Sequence, residues 1–230
     1  MKGDFHLHTS KDPHDPFVEH KPRQLVDACL SHGITALAIT HHMHLYWDAG
    51  TVVYARQRGA VLVPGAELRV DGRDVLALSA RPADVAAALT ALTFDSLRAC
   101  KRRHPGLLLI APHPYLPIRN SLHEQFQRHL DLWDAVELNG GYSRLFDFNK
   151  RAEREAKRAG LPLVADSDCH FLYQLGRSYT TLPLCRSAEE VIRTIRAGKS
   201  EAVTMPWTTP SLAALYMRHL RGMAKCRPQH

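Results

Sequence analysis

Along the chain, short apolar runs alternate with amphipathic stretches. "GDFHLH" has the period-two alternation of a half-buried strand, and "PRQLVDACLSHG" after it has helical periodicity, with Pro22 placed to open the helix and Gly33 to close it. "ITALAIT" is the next strand. "AVLVPGAEL" and "RDVLALS" read as two more strands. "PADVAAALTALTFDSLRACKRRH" reads as one long helix, or as two with a break near the middle, and its basic end suits a helix C-terminus. "GLLLIAPH" is apolar throughout, as in a strand buried on both faces, and "DAVELN" and "LPLVADSD" continue the series. Between those two lies "FNKRAEREAKRAG", a charged helix stopped by Gly160, and later "SAEEVIRTIRAG" pairs Ser187 with Glu190 as a capping box. The tail "SLAALYMRHLRGMAKCRPQH" carries Leu212, Tyr216, Leu220 and Met223 on one helical face, the pattern of a short helix docked on its own domain. This βα alternation predicts an α/β domain with a mainly parallel sheet or barrel and helices outside.

Composition narrows the class. A chain of 230 residues, 45% hydrophobic and 23% charged, suits one α/β domain, and no apolar run reaches the length of a membrane span. Only two residues precede the first alternating segment, so a secretory leader is not expected and the cytoplasm is. Cys29, Cys100, Cys169, Cys185 and Cys226 are scattered and form no C-x-x-C pair, so reduced thiols are expected rather than a disulfide framework or a cysteine zinc site. The formal charge of +7 favours anionic ligands, but it is spread along the chain rather than gathered into an aromatic-interleaved stripe, which disfavours nucleic acid. Oligomeric state is not legible.

Histidine is the outlier, at 15 residues, and many are positioned rather than scattered. In parallel α/β architectures chemistry gathers at the carboxyl ends of strands. Those ends carry His6 and His8, His41 and His42, Glu67, His113, Glu137, and Asp168 with His170. Residues i and i+2 of a strand share a face, so His6 with His8, and Asp168 with His170, can each serve one cation. A lone H-x-H is weak evidence, because histidines bonded to carbonyls are common. An ensemble of strand ends bearing mixed N/O donors is specific, and it suits zinc, manganese or iron.

In order, "DFHLHTS" with the following His14, "AITHH", "PGAEL", "APHP", "VELNGG" and "DSDCH" resemble the motifs of the PHP (polymerase and histidinol phosphatase) superfamily, over roughly residues 4–182. The resemblance implies a distorted seven-stranded (β/α) barrel with two or three divalent metal ions (Zn, Mn or Fe) at the C-terminal ends of its strands. The domain is expected over residues 1–205, with a small C-terminal element at about 175–205 and residues 206–230 as a short docked helical tail. His6, His8 and Asp168 match ligands of a first metal, Glu67 the carboxylate bridging to a second, and His113 a ligand of that second ion. His14, His42 and His170 match ligands of a third.

Departures from the family pattern are local. Where many members have T-D-H this chain has Thr40-His41-His42, leaving His41 as a supporting donor, and Asp74 stands where many have a histidine ligand of the second metal. Cys169 reads as packing and Glu137 as a structural hydrogen-bonding group, while His20, His32, His44, His104, His123, His129, His219 and His230 default to surface or packing roles.

The chemistry implied is hydrolysis of a small phosphorylated substrate by a metal-bridging hydroxide, with Glu67, Asp168 and His170 catalytic and Arg119 and Arg177 as candidate phosphate contacts. No nucleophile signature such as G-x-S-x-G competes with it. The alternatives are a metal-dependent hydrolase of a non-phosphate bond and a non-catalytic metal- or nucleotide-binding module. Tyr46, Trp47 and Tyr115 are available to stack on a base or sugar, or to pack.

Overall fold

The computed structural model describes residues 1–225; Cys226 and His230 lie outside them. In chain order the elements are β1 (Lys2–Leu7), α1 (Pro22–Ser31), β2 (Ile34–Ile39), α2 (Ala49–Gln57), β3 (Val61–Leu62), β4 (Gly65–Val70) and β5 (Arg73–Leu78). There follow α3 (Pro82–Ala88), α4 (Phe94–Arg103), β6 (Leu108–Ala111), α5 (Glu124–Arg128), β7 (Ala135–Asn139), α6 (Asn149–Ala159) and β8 (Leu163–Asp166). The chain finishes with β9 (Ser178–Thr181), α7 (Ala188–Arg196), β10 (Glu201–Thr204) and α8 (Thr209–Lys225).

Local chemistry explains most boundaries. Pro22 opens α1 and Gly33, at φ 72°, follows its end. The long helical stretch is two helices, because Thr93 caps α4 by accepting from the Ser96 N–H. Asp71 and Gly72, at φ 48° and 74°, form the two-residue turn that pairs β4 with β5, a geometry Asp-Gly favours. Pro64 lacks an N–H to continue a ladder, so "AVLVPGAEL" becomes two strands rather than one.

The strands form two five-stranded sheets, ordered β10-β9-β1-β2-β3 and β4-β5-β6-β7-β8. Pairing is mixed rather than mainly parallel: β1-β2-β3 and β6-β7-β8 are parallel, and β4-β5-β6 and β1-β9-β10 antiparallel. The expected seven-stranded barrel is therefore not seen as a closed ladder. The sheets meet through the isolated bridges Leu7–Cys169 and His42–Glu67. Along the first seam, carboxylates replace ladder carbonyls: Phe5 N–H donates to Asp166 Oδ1 at 2.6 Å and Ser167 N–H to Asp4 Oδ1 at 3.1 Å.

Three apolar clusters hold these layers. Ala36, Leu76, Leu78, Ile110 and Val164 fill the space between the sheets, where Val191, Ile192 and Ile195 of α7 join them. Helices α1 and α2 cover the first sheet, and α3, α4 and α6 the second. Cys29, Cys100, Cys169 and Cys185 are free and buried. Among the described residues no helix is long and apolar enough to cross a membrane.

Helix α8 corrects the reading of its face. Leu212 and Leu215 are buried, Tyr216, His219 and Gly222 are half-buried, and Leu220 and Met223 are exposed. The buried stripe is thus 212, 215, 216, 219 and 222, one step round from the most apolar one. Its inner neighbours are polar strand ends.

Candidate metal centre

The strand-end residues converge where the two sheets meet. Glu67 Oε2, at the centre, lies 3.2 Å from His6 Nε2, 3.5 Å from His8 Nε2 and 3.0 Å from His42 Nε2, while Oε1 is 3.6 Å from His113 Nε2. Asp168 Oδ1 closes the ring at 3.5 Å from both His6 Nε2 and His8 Nε2. His170 stacks on His8 with ring centroids 4.2 Å apart. Two of these residues hold a left-handed backbone, His113 at φ 30° and Asp168 at φ 51°, strain of the kind that surrounding structure sustains at functional sites.

The other ring nitrogens are tied down. His6 Nδ1–H donates to Glu137 at 2.8 Å, His8 Nδ1–H to Asp12 at 2.9 Å and His42 Nδ1–H to the same Asp12 oxygen at 3.0 Å. Such carboxylate–imidazole pairs fix both tautomer and ring direction, leaving each Nε2 lone pair for an external partner. Asn139 braces Glu137 and Asp168, at 2.9 and 3.3 Å. His41 points elsewhere, hydrogen-bonded to Thr9 at 2.9 Å, and burial lowers its pKa to about 3.

The donor set fits divalent cations. His6 Nε2, His8 Nε2 and Glu67 Oε2 are buried with no hydrogen-bond partner, an arrangement costly unless something fills it. Donor atoms mutually within 4.8 Å form the sets His6-His8-Glu67, His6-His113-Asp168, His8-Asp168-His170, Glu67-Asp74-His113 and His8-Asp12-Asp15-His42. Electrostatics agree. Burial opposes charge on Glu67 and Asp168, yet the neighbouring His42 and His6 hold both carboxyls well below the usual range. The carboxylates raise His6, His42 and His170 against the same burial, and His113 to about 9. Here imidazolium balances carboxylate, the role a cation would take over. Asp74 is pushed up to about 7 by burial and by Glu67, so ligation there would release a proton.

Of the residues singled out in the sequence, His6, His8, His42, Glu67, Asp74, His113, Asp168 and His170 are brought together. His14 is not. It is exposed, 6.4 Å between ring centroids from His42, because its N–H is held in a turn by Asp12 Oδ1. Asp12 and Asp15 occupy the inner side instead, with His170 Nε2–H donating to Asp15 at 2.8 Å. Sequence reasoning passed over both carboxylates, although their interleaving with His8 and His14 was the available signal. Arg119 is exposed on the loop after β6. Arg177 donates to the Pro206 carbonyl at 2.6 Å and lies 4.2 Å over the Trp207 ring. Trp47 and Tyr46 pack against the α1–α2 core, and Tyr115 is buried beside Phe126.

Comparison with known proteins gives three kinds of likeness. A family model described as PHP-associated matches residues 146–200. An uncharacterized protein of Methanocaldococcus jannaschii is 29% identical over 151 residues, 63% of this chain and 84% of that one. A two-domain protein of Bacteroides vulgatus, containing a predicted PHP-like metal-dependent phosphoesterase, superposes with TM-score 0.66 at 16% identity over 98% of this chain and 69% of its own. An amidohydrolase of Chromobacterium violaceum, with bound sulfate and no metal, gives 0.58 at 18% identity over 83% and 95%.

Proposed function

We propose that the chain is a member of the PHP superfamily and a metal-dependent phosphoesterase acting on a small phosphorylated substrate, a reading supported by the PHP-associated match over residues 146–200 and by the likeness in fold. The observation that carries this reading is the convergence of the unpartnered His6 Nε2, His8 Nε2 and Glu67 Oε2 beside Asp168. Two or three zinc, manganese or iron ions held there would supply Lewis acidity toward phosphoryl oxygens and lower the pKa of water. His6, His8, Glu67 and Asp168 would hold the first, Glu67, His113 and Asp74 the second, and His42 and His170, with Asp12 or Asp15 in the place expected of His14, the third.

The protein's own groups do the remaining work. Glu137 and Asp12 keep the imidazole rings aimed, so that little reorganisation is needed on binding. Gln174 accepts from the His170 N–H at 3.0 Å, and Asp15 and the Asp168 carbonyl hold its ring nitrogens at 2.8 and 3.0 Å, steadying a residue that would help hold the third ion. Of the two arginines expected to meet a phosphate, Arg119 is exposed, whereas Arg177 is engaged by Pro206 and Trp207.

The test is phosphate release from sugar, nucleotide and amino-alcohol phosphates by metal-loaded protein, beside an Asp168→Asn variant whose metal content is recorded. Release that vanishes in the variant is expected. No release from protein that holds its metals would overturn the reading. The amidohydrolase name of the Chromobacterium violaceum protein favours one second reading, hydrolysis of a non-phosphate bond, which amide and ester substrates in the same panel would reveal.

A further inference from the structure

Helix α8 and the segment leading into it are fastened across the strand ends. Trp207 Nε1–H donates to the Gly140 carbonyl at 3.0 Å, its N–H donates to the Tyr142 carbonyl at 2.9 Å, and the Tyr216 hydroxyl donates to the Gly141 carbonyl at 2.9 Å. At the far end of the helix, Gly222 admits the Phe17 ring: a Cβ there would stand 2.5 Å from Phe17 Cγ. Phe17 in turn stacks beside His170, with ring centroids 5.9 Å apart.

Between these fastenings sits His219. Its ring lies edge-on to His170 at 4.7 Å and to Phe17 at 5.0 Å, and the side chain is half-buried. Among the described residues neither of its ring nitrogens has a hydrogen-bond partner, although both ring nitrogens of the neighbouring His170 are engaged, by Asp15 and the Asp168 carbonyl. Packing does not call for an imidazole here, because exposed Leu220 and Met217 are close by on the same helix. A half-buried heterocycle offering a donor and an acceptor beside a ligand residue is what a polar substrate would meet.

We propose that α8 is one wall of the substrate cleft and that His219 is the residue on it that hydrogen-bonds the phosphate-bearing substrate. The inference rests on the phosphoesterase reading and narrows it. A helix anchored across the strand ends would favour a small phosphomonoester over a polymer running over the site.

The experiment uses the full metal-loaded chain, its metal content measured, as wild type and as His219→Ala, His219→Gln and Met217→Ala. The probe is inorganic phosphate, titrated calorimetrically, with the His219 imidazole nitrogen signals followed by NMR. KM and kcat are then taken on the best phosphoester of the panel. His219→Ala should weaken phosphate binding and raise KM by about ten- to a hundredfold, the worth of a hydrogen bond to a charged group. Metal content should not change, glutamine should recover most of the loss, and Met217→Ala should match wild type. Unaltered phosphate affinity in His219→Ala overturns the assignment while leaving the enzyme reading intact. Wild type that holds metal but binds no phosphate overturns both. Phosphate binding that depends on His219 without turnover of any phosphoester supports the assignment and removes the enzyme reading.

Discussion

Glu67→Gln isolates the centre of the site, because it removes one charge while keeping the side-chain shape. Glu67 belongs to two donor sets and has four imidazole nitrogens within 3.6 Å, so its loss should be felt at two cations. Loss of even a supporting partner of a metal ligand lowers affinity about 10- to 100-fold, and a central carboxylate belongs at the upper end or beyond. At a cation concentration about a hundred times the wild-type dissociation constant, binding stabilises the folded state by about 2.7 kcal/mol. A variant a hundredfold weaker would gain only about 0.4 kcal/mol from the same cation. The difference of about 2 kcal/mol corresponds to a metal-induced rise in Tm smaller by roughly 5–9 °C in a chain of this size. The assay is thermal unfolding with and without manganese or zinc, paired with metal content after dialysis against a chelator. Circular dichroism checks the fold. Equal Tm shifts and equal metal content in Glu67→Gln and wild type would refute the bridging role.

Further outcomes follow from single contacts. Burial opposes the charge on Asp84, but hydrogen bonds from His104 and Ser79, each 2.9 Å, outweigh it and hold the carboxyl below its usual range. The folded state therefore binds fewer protons than the unfolded. The stability this contributes is complete above the ordinary Asp pKa and is lost as pH falls through the folded value. Asp84→Asn should cost about 1–2 kcal/mol in urea unfolding at pH 7, a gap that narrows below about pH 4; a pH-independent gap would count against the argument. Gly222→Val should cost about 1–3 kcal/mol through overpacking on Phe17 and speed proteolysis within α8, and unchanged unfolding and cleavage would show that the approach is not tight. Burial raises the Cys29, Cys100 and Cys169 thiols, so peptide mapping after iodoacetamide should find them unlabelled in native protein and labelled in urea; fast native labelling of Cys169 would contradict its packing role.

The strand-end ligands were legible because position on a strand fixes direction: alternate residues share a face, and His6, His8 and Glu67 each sit where a strand or its end aims them inward. Loops lack that rule. His14 and Asp15 are neighbours between two prolines, and only the turn closed by Asp12 decides that the carboxylate faces inward and the imidazole outward. On α8 the period was readable but its phase was not. Scoring apolar residues turned Leu220 toward the core, whereas the surface beneath is polar and accepts His219. The β/α order was legible too, but not the break into two sheets. Asp4 and Asp166 interrupt the ladder with their own carboxylates, and nothing in a strand's pattern distinguishes a side chain that faces its neighbour's backbone from one that faces a core.

The seam between β1 and β8 also fixes when the site can exist. Phe5 and Asp166 are 161 residues apart in sequence, and the Met1 ammonium reaches the Leu182 carbonyl across 181. Pairings at such separation close late, since each must overcome the entropy of a long loop. At a synthesis rate of roughly 5–20 residues per second, His6 and His8 are made about eight to thirty seconds before Asp168. During that interval the growing chain has His6, His8 and Glu67 but not Asp168 and His170, so the donor set is incomplete. Firm metal capture would therefore wait on the segment that carries Asp168 and His170, and a chain interrupted before it would hold the first histidines without the full donor set.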